Sequence, residues 1–296
     1  APRLVGAVEA AERTLMRILI TGAGGQLGHD LAIHCAAMGD DVVETDRQLL
    51  DVGDRDAVHG AVAGVRPDTV VNTAAWTAVD ACEGDRSRAL RVNALGPRWL
   101  REASSLCGAH LVQLSTDYVF DGTLDRPYHE WDLANPPSVY GQSKLAGEIE
   151  AGAGATIVRT SWVSGANGNN IVKTVLRLAA ERPSLSFVDD QIGCPTFTAD
   201  LAPMVRRLAV DRLAGAYHVT NQGAVSWYEF VRDVVSAAGH DPDMVEPIST
   251  ADLQPPRPAP RPANSVLDNV ALRESGIPLL RHYREPLGEL VEQLTG

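Results

Sequence analysis

Several features are scarce or missing in this 296-residue sequence. Its four cysteines are widely scattered and form no Cys-x-x-Cys pair, which predicts reduced thiols in a cytoplasmic protein, not a disulfide framework or a zinc site. No apolar run approaches the roughly 20 residues that cross a bilayer, so no membrane contact is predicted. Lysine and arginine number 26 against 38 acidic residues, for a formal net charge of -12. This deficit of positive charge argues against nucleic acid as a partner.

What is present is the composition of a globular protein, with 45% hydrophobic and 22% charged residues. The length allows one large domain or two smaller ones. Residues 1–15 are rich in alanine, and Met16 after them is followed at once by an apolar strand pattern. We interpret residues 1–15 as an N-terminal extension that is not part of the core. The alternative is a separate helix.

An apolar run that ends in closely spaced glycines predicts a phosphate-binding turn. Residues 17–21 have the composition of a buried parallel strand. Gly22, Gly25 and Gly28 follow at intervals of three, and a helical pattern comes next. Glycines let the backbone approach an anion closely, and the free N–H groups of a helix N-terminus can bind it. The alternative is a tight turn that binds nothing, since the spacing is not Gly-x-Gly-x-x-Gly.

Charged residues after the second predicted strand, residues 41–46, bear on the choice of cofactor. Asp46 lies about where an acid binds the ribose 2′-hydroxyl of NAD(H). Arg47 follows it and could accept the 2′-phosphate of NADP(H), so the pair leaves the preference open. Asp51 and Val52 lie where the next turn could reach the adenine. An ordinary turn residue is the alternative for Asp51.

Two further strand patterns lead towards the candidate chemistry. Residues 69–75 end in small side chains, which permit close approach to a ligand. Residues 110–116 form the next strand, and its polar end, residues 115–117, falls at the carboxyl edge of the predicted sheet, where doubly wound sheets bind ligands. The repeated alternation of strand and helix predicts an α/β fold with an open, mostly parallel sheet.

Tyr140 and Lys144 are four residues apart, so on a helix they share one face. A cation close to a tyrosine favours tyrosinate and makes the phenol a better acid near neutral pH. Such an acid can protonate the alkoxide that hydride transfer forms. Taken alone the spacing is common, and two solvated residues on a surface helix are the alternative.

Several blocks of the sequence resemble motifs of the dTDP-4-dehydrorhamnose reductase family, which are extended short-chain dehydrogenase/reductases. The blocks are residues 22–28, 115–122, 140–148, 159–163, 188–196 and 261–265. The glycine and Tyr-Lys motifs belong to the whole superfamily. The Ser-Thr-Asp-Tyr-Val-Phe and Asp-Gln-x-Gly-x-Pro-Thr blocks are much narrower. The resemblance runs from about Met16 to the C-terminus.

Taken with the patterns above, the resemblance implies a Rossmann-type, doubly wound parallel sheet over residues 16–160. A smaller mixed α/β substrate domain over residues 161–296 would follow, with some segments returning to the first domain. NADPH or NADH would be bound by Gly22, Gly25, Gln26, Leu27, Gly28, Asp46, Arg47, Asp51, Val52, Ala75, Trp76, Thr77, Tyr140 and Lys144. The catalytic residues would be Thr116, Tyr140 and Lys144. The substrate would meet Thr116, Asp117, Trp162 and Arg261.

The reaction implied by the resemblance is reduction of the C4 ketone of dTDP-4-dehydro-6-deoxy-L-mannose to dTDP-L-rhamnose. Tyr140 would donate the proton, Lys144 would lower the phenol pKa and hold the nicotinamide ribose, and Thr116 would polarise the carbonyl. A related sugar-nucleotide reductase or epimerase is one alternative. A catalytically silent binding subunit on the same scaffold is another.

Some members of that family carry Mg2+ at a subunit interface, bound by glutamates. Asp30 and Asp200 stand at or near those places in this sequence. A hard cation accepts any carboxylate oxygen, but the shorter side chain alters the distances. An acid in the first turn of a helix explains both residues equally well. The sequence therefore predicts no metal site, although binding of Mg2+ stays an open question. It also leaves open whether the protein is a monomer or a homodimer.

Overall fold

The computed structural model describes residues 15–296. The predicted N-terminal extension therefore lies outside the described residues except for Leu15, whose side chain is exposed. Within residues 15–296, no helix is both long enough and apolar enough to cross a membrane.

The described strands are β1 (Arg17–Thr21), β2 (Asp41–Thr45), β3 (Thr69–Asn72), β4 (His110–Thr116), β5 (Thr156–Thr160), β6 (Val163–Ser164), β7 (Leu185–Val188), β8 (Ile192–Gly193), β9 (Thr196–Phe197), β10 (Gly215–His218), β11 (Val225–Ser226) and β12 (Val245–Ile248). The described α-helices are α1 (Gln26–Ala37), α2 (Arg55–Val65), α3 (Val79–Gly84), α4 (Arg86–Leu90), α5 (Gly96–Cys107), α6 (Val139–Ala151), α7 (Ile171–Glu181), α8 (Thr198–Val210), α9 (Trp227–Ala237), α10 (Val270–Glu274) and α11 (Arg284–Thr295). A π-helix (Arg91–Leu95) joins α4 to α5, and short 3-10 turns lie at Asp117–Val119, Pro242–Met244 and Thr250–Asp252.

Six parallel strands form the main sheet in the order β10-β5-β4-β3-β1-β2. The chain runs outward from β1 to β2 and then crosses to β3 on the other side of β1, so the winding direction reverses between β1 and β3. Ligands of open α/β sheets bind outside the carboxyl ends of the strands at such a switch point. The predicted doubly wound parallel sheet is confirmed. Its edge strand β10 comes from beyond residue 160.

The strands form because their apolar runs are buried on both faces. Side chains alternate between the two faces of a strand, so Ile18 and Ile20 pack towards α1 and α8, while Leu19 packs towards α2 and α5. All three are fully buried. The central sheet is thus covered by helices on both sides.

A second core lies among α7, α9 and α11, which pack around the parallel pair β7 and β12. The helix α9 begins at a capping box, in which the Ser226 hydroxyl accepts from the backbone N–H of Glu229 and the Glu229 side chain accepts from the N–H of Ser226. Its apolar face is Phe230, Val231 and the following valines, as the amphipathic pattern predicts. The same pattern places Trp227 on that inner face, but this side chain is only partly buried.

The helical run from α4 to α5 contains no break, although Pro97 predicts a kink or a break there. Pro97 lies in the first turn of α5, directly after the wide π-helical turn, where its missing N–H costs little. The π-helix brings the carbonyl of Asn93 against α6. A Cβ atom at Gly147 would lie only 2.0 Å from that oxygen, so α6 can pack this closely only with glycine at this position.

A buried ion pair fastens α8 to the turn between α1 and β2. The Arg206 guanidinium donates to both carboxylate oxygens of Asp40, from Nε at 2.6 Å and from Nη2 at 3.0 Å. The Asp40 side chain is fully buried and also accepts from the N–H of Met16. Removing one member leaves a buried charge without its partner.

We therefore predict that Arg206→Met lowers the free energy of unfolding by about 3–5 kcal/mol. Arg177→Met is the matched control, since Arg177 pairs with Glu181 one turn away on the surface. This exposed pair is worth about 0.3–0.5 kcal/mol. Urea denaturation of the three proteins gives the comparison. Equal losses of unfolding free energy in the two variants would show that the buried pair with Asp40 stabilises the fold no more than an exposed pair does.

Candidate active site

Two adjoining cavities open at the carboxyl edge of the sheet and share Gly25, Thr73 and Ala75. The outer cavity, about 390 Å³, is lined by residues including Gly22, Gly24, Asp46, Arg47, Asp51, Val52, Ala74, Trp76, Arg88 and Val92. The inner cavity, about 580 Å³, is lined by residues including Gln26, Leu27, Gly28, Thr77, Thr116, Asp117, Tyr140, Lys144, Trp162 and Trp227. The predicted cofactor residues are thus divided between neighbouring cavities, and the predicted catalytic residues share one.

The glycine turn lies between the two cavities and needs its glycines. Gly22 has φ +75°, and a Cβ atom there would lie 2.6 Å from the backbone nitrogen of Ala74. A Cβ atom at Gly28 would lie 2.4 Å from the carbonyl oxygen of Gly22. The helix α1 starts at Gln26 after the cap residue Gly25, which has no side chain to occupy the first N–H groups. These groups are therefore available to an anion such as a pyrophosphate.

Gln26 has a structural task beside its predicted contact with the cofactor. Its side-chain oxygen accepts from the N–H of Gly165 at 3.1 Å and from the amide of Asn170 at 2.9 Å. These bonds hold the loop before α7 against the glycine turn. The loop contributes Gly168 and Asn169 to the wall of the inner cavity.

Both acids of the outer cavity are engaged by neighbouring donors. Asp46 Oδ1 accepts from the backbone N–H groups of Gln48 and Leu49 at 2.8 and 3.0 Å. Asp51 accepts from the N–H of Gly53 at 2.9 Å and from Arg91 Nη1 at 3.0 Å. Arg47 is exposed at the rim. The structure thus brings Asp46, Arg47 and Asp51 together in the outer cavity, and their contact with a cofactor stays a prediction.

Tyr140 and Lys144 are not solvated residues on a surface helix. They lie in the first two turns of α6, which Ser138 caps by accepting from the N–H of Gly141 at 3.1 Å. Both side chains are more than nine-tenths buried. Lys144 Nζ donates to the carbonyl oxygen of Leu114 in β4 at 2.6 Å. The strand therefore fixes the ammonium group beside the inner cavity.

The pKa of Tyr140 differs from the expectation of a more acidic phenol. Burial raises it well above its ordinary value, and the neighbouring Thr116 hydroxyl opposes that rise. Burial lowers the pKa of Lys144 to about 8, against the opposing effect of Glu148. The net shift of the Tyr140 pKa in the protein alone is therefore opposite in direction to the predicted one, because desolvation of tyrosinate is the largest influence on it. A lowering of that pKa by Lys144 stays a prediction.

Thr116 and Asp117 are joined by a hydrogen bond at the end of β4. Thr116 Oγ1 donates to Asp117 Oδ1 at 2.9 Å and accepts from the N–H of Tyr118 at 3.2 Å. Within residues 15–296, the buried Asp117 Oδ2 has no hydrogen-bond partner. Burial raises the pKa of Asp117 to about 6, although Ser265 and Thr116 oppose the shift. The carboxylate thus remains able to accept a further hydrogen bond.

Ser115 also lines the inner cavity, but its side chain is bonded to α6. Its hydroxyl donates to Glu148 Oε1 at 2.5 Å. Glu148 also receives two bonds from the buried Arg159, at 2.9 and 2.7 Å. Of the polar end of β4, Thr116 and Asp117 therefore serve the inner cavity, whereas Ser115 ties β4 to α6.

Two indole rings form one wall of the inner cavity. Trp162 and Trp227 stack with ring centroids 3.5 Å apart and planes 9° from parallel. Trp162 has φ +48°, which a bulky residue rarely adopts, and a Cβ atom at Gly193 would strike its ring at 2.6 Å. Sequence reasoning missed Trp227 because its position in the amphipathic pattern of α9 predicts a core residue.

Arg261 is bound to another side chain of the protein. Its Nη1 and Nη2 donate to the two oxygens of Asp80 in α3, at 2.5 and 2.8 Å, and Nη1 also donates to the carbonyl of Ala259. The Arg261 guanidinium lowers the pKa of Asp80 below its usual value. This pair joins the proline-rich loop, residues 255–262, to α3. A contact of Arg261 with a substrate pyrophosphate stays a prediction.

The two weak metal candidates both have protein partners. Asp30 accepts from Asn167 Nδ2 at 3.1 Å and from the Thr198 hydroxyl. Asp200 accepts from Arg281 and Asn221. In the part of the chain that the structure describes, no group of three or more His, Cys, Asp or Glu side chains is placed to hold a metal ion.

Asn93 is a further residue whose role the sequence did not reveal. Its Oδ1 accepts from the N–H of Trp76 at 2.8 Å, and its Nδ2 donates to the Trp76 carbonyl and to Ser143 Oγ. The side chain thereby fastens the segment between the cavities to α6. An asparagine within an apolar helical pattern next to Gly96 and Pro97 was the available signal.

The raised pKa of Asp117 predicts a stability cost. The folded-state pKa lies near 6, above the ordinary value of 3.8, so wild-type stability falls as pH rises from about 4 to about 6. Asp117→Asn removes this titration. We expect the variant to gain stability over the wild type across that interval, reaching at most about 3 kcal/mol above pH 6. Urea denaturation at a series of pH values measures the difference.

Asp121→Asn is the control of opposite sign. Hydrogen bonds, above all from Asn135, lower the pKa of Asp121 to about 2. This variant should lose stability relative to the wild type as pH rises above about 2 towards 4. A stability difference for Asp117→Asn that is independent of pH would contradict the assignment.

Known proteins are similar to this chain over nearly its whole length. The family model described as RmlD substrate binding domain matches residues 16–295. A dTDP-4-dehydrorhamnose reductase from Streptomyces griseus is 43% identical over 290 residues, which cover 95% of this chain and 94% of that protein. The solved structure of a dTDP-4-dehydrorhamnose reductase from Clostridium acetobutylicum ATCC 824 gives a TM-score of 0.91 at 41% identity, covering 95% of this chain and 100% of that chain.

A second solved structure, of dTDP-4-dehydrorhamnose reductase from Bacillus anthracis str. Ames, is in complex with NADP. It gives a TM-score of 0.90 at 39% identity and covers 94% of this chain and 99% of that chain. Both the family model and these relatives extend across the two cavities and the second core. The chain therefore belongs to the RmlD substrate binding domain family, with dTDP-4-dehydrorhamnose reductases among its relatives.

Proposed function

We propose that this protein is a nicotinamide-dependent reductase of a dTDP-linked keto sugar, and that it reduces the C4 ketone of dTDP-4-dehydro-6-deoxy-L-mannose to dTDP-L-rhamnose. The observation that carries the proposal is the meeting of Tyr140, Lys144 and Thr116 in one cavity beside the glycine turn. The relatives named for this reaction support the choice of substrate. The proposed product belongs to the biosynthesis of nucleotide sugars.

The cavities fit a dinucleotide cofactor, either NADPH or NADH. The N-terminus of α1 and the glycine turn would hold the pyrophosphate, since side chains are excluded at Gly22 and Gly28. Asp46 and Arg47 at the end of β2 would meet the adenosine ribose. Lys144 would bind the ribose next to the nicotinamide. When bound, the reduced nicotinamide supplies the hydride that the carbonyl carbon accepts.

Tyr140 provides the proton for the carbonyl oxygen. Its raised pKa keeps the phenol protonated at neutral pH, so the proton is present when charge develops on the oxygen. Loss of that proton leaves a buried tyrosinate, which the Lys144 ammonium one turn away on α6 would stabilise. Lys144 is mostly charged at pH 7, because its pKa lies near 8.

Thr116 has one hydroxyl proton, and this limits what it can do. The proton is directed at Asp117 Oδ1. Thr116 can donate to a substrate carbonyl only by rotating its hydroxyl away from Asp117, whose second oxygen could then accept from a sugar hydroxyl. We propose this exchange as the way in which Thr116 and Asp117 together orient the sugar. The stacked Trp162 and Trp227 would form the apolar wall against its ring.

Arg261 would contact the pyrophosphate of the substrate only if that group took the place of Asp80. The chemistry permits this, because a bidentate guanidinium binds a carboxylate and a phosphate in the same geometry. The proline-rich loop that carries Arg261 lies between α3 and β8.

The substrate is tested by supplying the dTDP keto sugar with NADPH or NADH and following the absorbance of the reduced nicotinamide. We expect oxidation of the cofactor together with formation of dTDP-L-rhamnose. A panel of 4-keto sugar nucleotides differing in ring configuration identifies a related ketoreductase. Absence of turnover with the dTDP keto sugar and both cofactors would overturn the substrate assignment.

The acid is tested with Tyr140→Phe, which removes the hydroxyl and keeps the ring. We expect kcat to fall by about 10²–10⁴-fold, the usual contribution of a positioned general acid. Binding of the cofactor should persist, since the packing of α6 is unchanged.

Tyr118→Phe is the matched control, because Tyr118 packs edge-on against Tyr140 with ring centroids 5.7 Å apart. It should retain most of the turnover. Full activity in Tyr140→Phe would remove this phenol from the mechanism.

A further inference from the structure

Among residues 15–296, two arginines that line the outer cavity have no carboxylate partner. We propose that Arg88, together with Arg47, forms a pair of cations that binds the 2′-phosphate of NADPH, so that Arg88 determines cofactor specificity. The proposal rests on the proposed function in assuming a nicotinamide dinucleotide. It assigns a role to a helix residue that lies about 40 positions beyond the end of β2.

Arg88 is held in place by an aromatic ring. Its guanidinium carbon lies over the indole of Trp76, 4.4 Å from the ring centroid. A cation at this distance from an aromatic face is attracted by the ring quadrupole. In the described chain, no side-chain hydrogen bond and no carboxylate within 4.0 Å engages this guanidinium. Its N–H groups are therefore available to a ligand while Trp76 holds the planar group.

Trp76, whose indole lies under Arg88, is itself held in place. The Trp76 backbone is held from both sides by Asn93, at 2.8 Å through its N–H and at 3.1 Å through its carbonyl. Asn93 belongs to the π-helix that directly follows α4, the helix on which Arg88 lies. Arg88 and Asn93, which holds Trp76, thus come from one helical run. Such an arrangement reduces the side-chain freedom that Arg88 would lose on binding a ligand.

The other charges of the outer cavity are already engaged. Asp46 accepts from two backbone N–H groups, and Asp51 accepts from Gly53 and from Arg91. The groups left for an anion are consequently the cations Arg47 and Arg88. The anion expected at this position of the fold is the 2′-phosphate on the adenosine ribose of NADPH.

A guanidinium is well suited to such a phosphate. It presents its N–H groups in a planar fork that matches two phosphate oxygens, and these charge-assisted bonds are stronger than neutral ones. A phosphate monoester carries about -1.5 to -2 charge at pH 7. NADH has a hydroxyl at the same place and would leave the two cations without a counter-charge. The geometry therefore favours NADPH.

The test uses two probes that lack nicotinamide, adenosine 2′,5′-bisphosphate and adenosine 5′-monophosphate, titrated calorimetrically into the whole protein. We expect Arg88→Ala to weaken binding of the bisphosphate by about 10-fold or more, which is the effect of losing one charged hydrogen bond. Binding of the monophosphate should change by less than about twofold. Arg47→Ala should behave in the same way.

Arg177→Ala is the control for net charge, since Arg177 is exposed on α7 and pairs only with Glu181 in the described chain. It should leave both affinities unchanged. Arg88→Lys keeps the charge but loses the planar fork, so we expect an intermediate loss for the bisphosphate. Thermal melts of each variant show whether the fold is intact.

An equal loss for both probes in a folded Arg88→Ala protein would overturn the proposal and assign Arg88 to the adenine. Unchanged binding of the bisphosphate, or a wild type that binds both probes equally, would overturn it too. These outcomes are separate from the reductase assignment, because neither probe can be turned over. A second readout is the ratio of KM for NADPH to KM for NADH, which Arg88→Ala should raise by about the same factor.

Discussion

The close seating of α6 is the constraint on which the rest of the site depends. Two glycines six residues apart, Gly141 and Gly147, leave room for backbone carbonyls where any Cβ atom would collide. Tyr118 O would lie 2.2 Å from a Cβ at Gly141, and Asn93 O would lie 2.0 Å from one at Gly147. Lys144 lies halfway between the two contacts and can reach Leu114 only because the helix comes so near.

This seating removes water from groups that would otherwise be well solvated. The consequences appear together at one place in the protein: a less acidic Tyr140, a less basic Lys144 and a less acidic Asp117. Each shift disfavours the charged form and costs folding free energy. The strained backbone at Trp162 lies in the same cavity wall. Groups held in unfavourable states are typical of sites where a ligand later supplies the missing partner.

The sheet, the glycine turn and the Tyr-Lys pair could be predicted because each depends on short-range patterns. A buried strand needs an apolar run, a turn at positive φ needs glycine, and two residues four apart share a helix face. The stacking of Trp227 on Trp162 could not be predicted, because it joins residues 65 positions apart on different elements. The same holds for Arg261 and Asp80, whose pairing depends on how the proline-rich loop returns to α3. Asn93 was hidden for another reason, since a π-turn has no simple sequence signature.

The position of β10 at the edge of the sheet has a consequence for how the chain folds. β5 is complete at residue 160, but its outer neighbour is not made until residues 215–218. Between these points a ribosome adds only α7 and β7 of the second core, and the exposed edge of β5 could meanwhile pair with another chain. Closing the sheet then requires a contact between residues more than 50 positions apart, which is a slow kind of step. The two cores are therefore expected to become stable together, and synthesis up to residue 160 alone would leave an aggregation-prone intermediate.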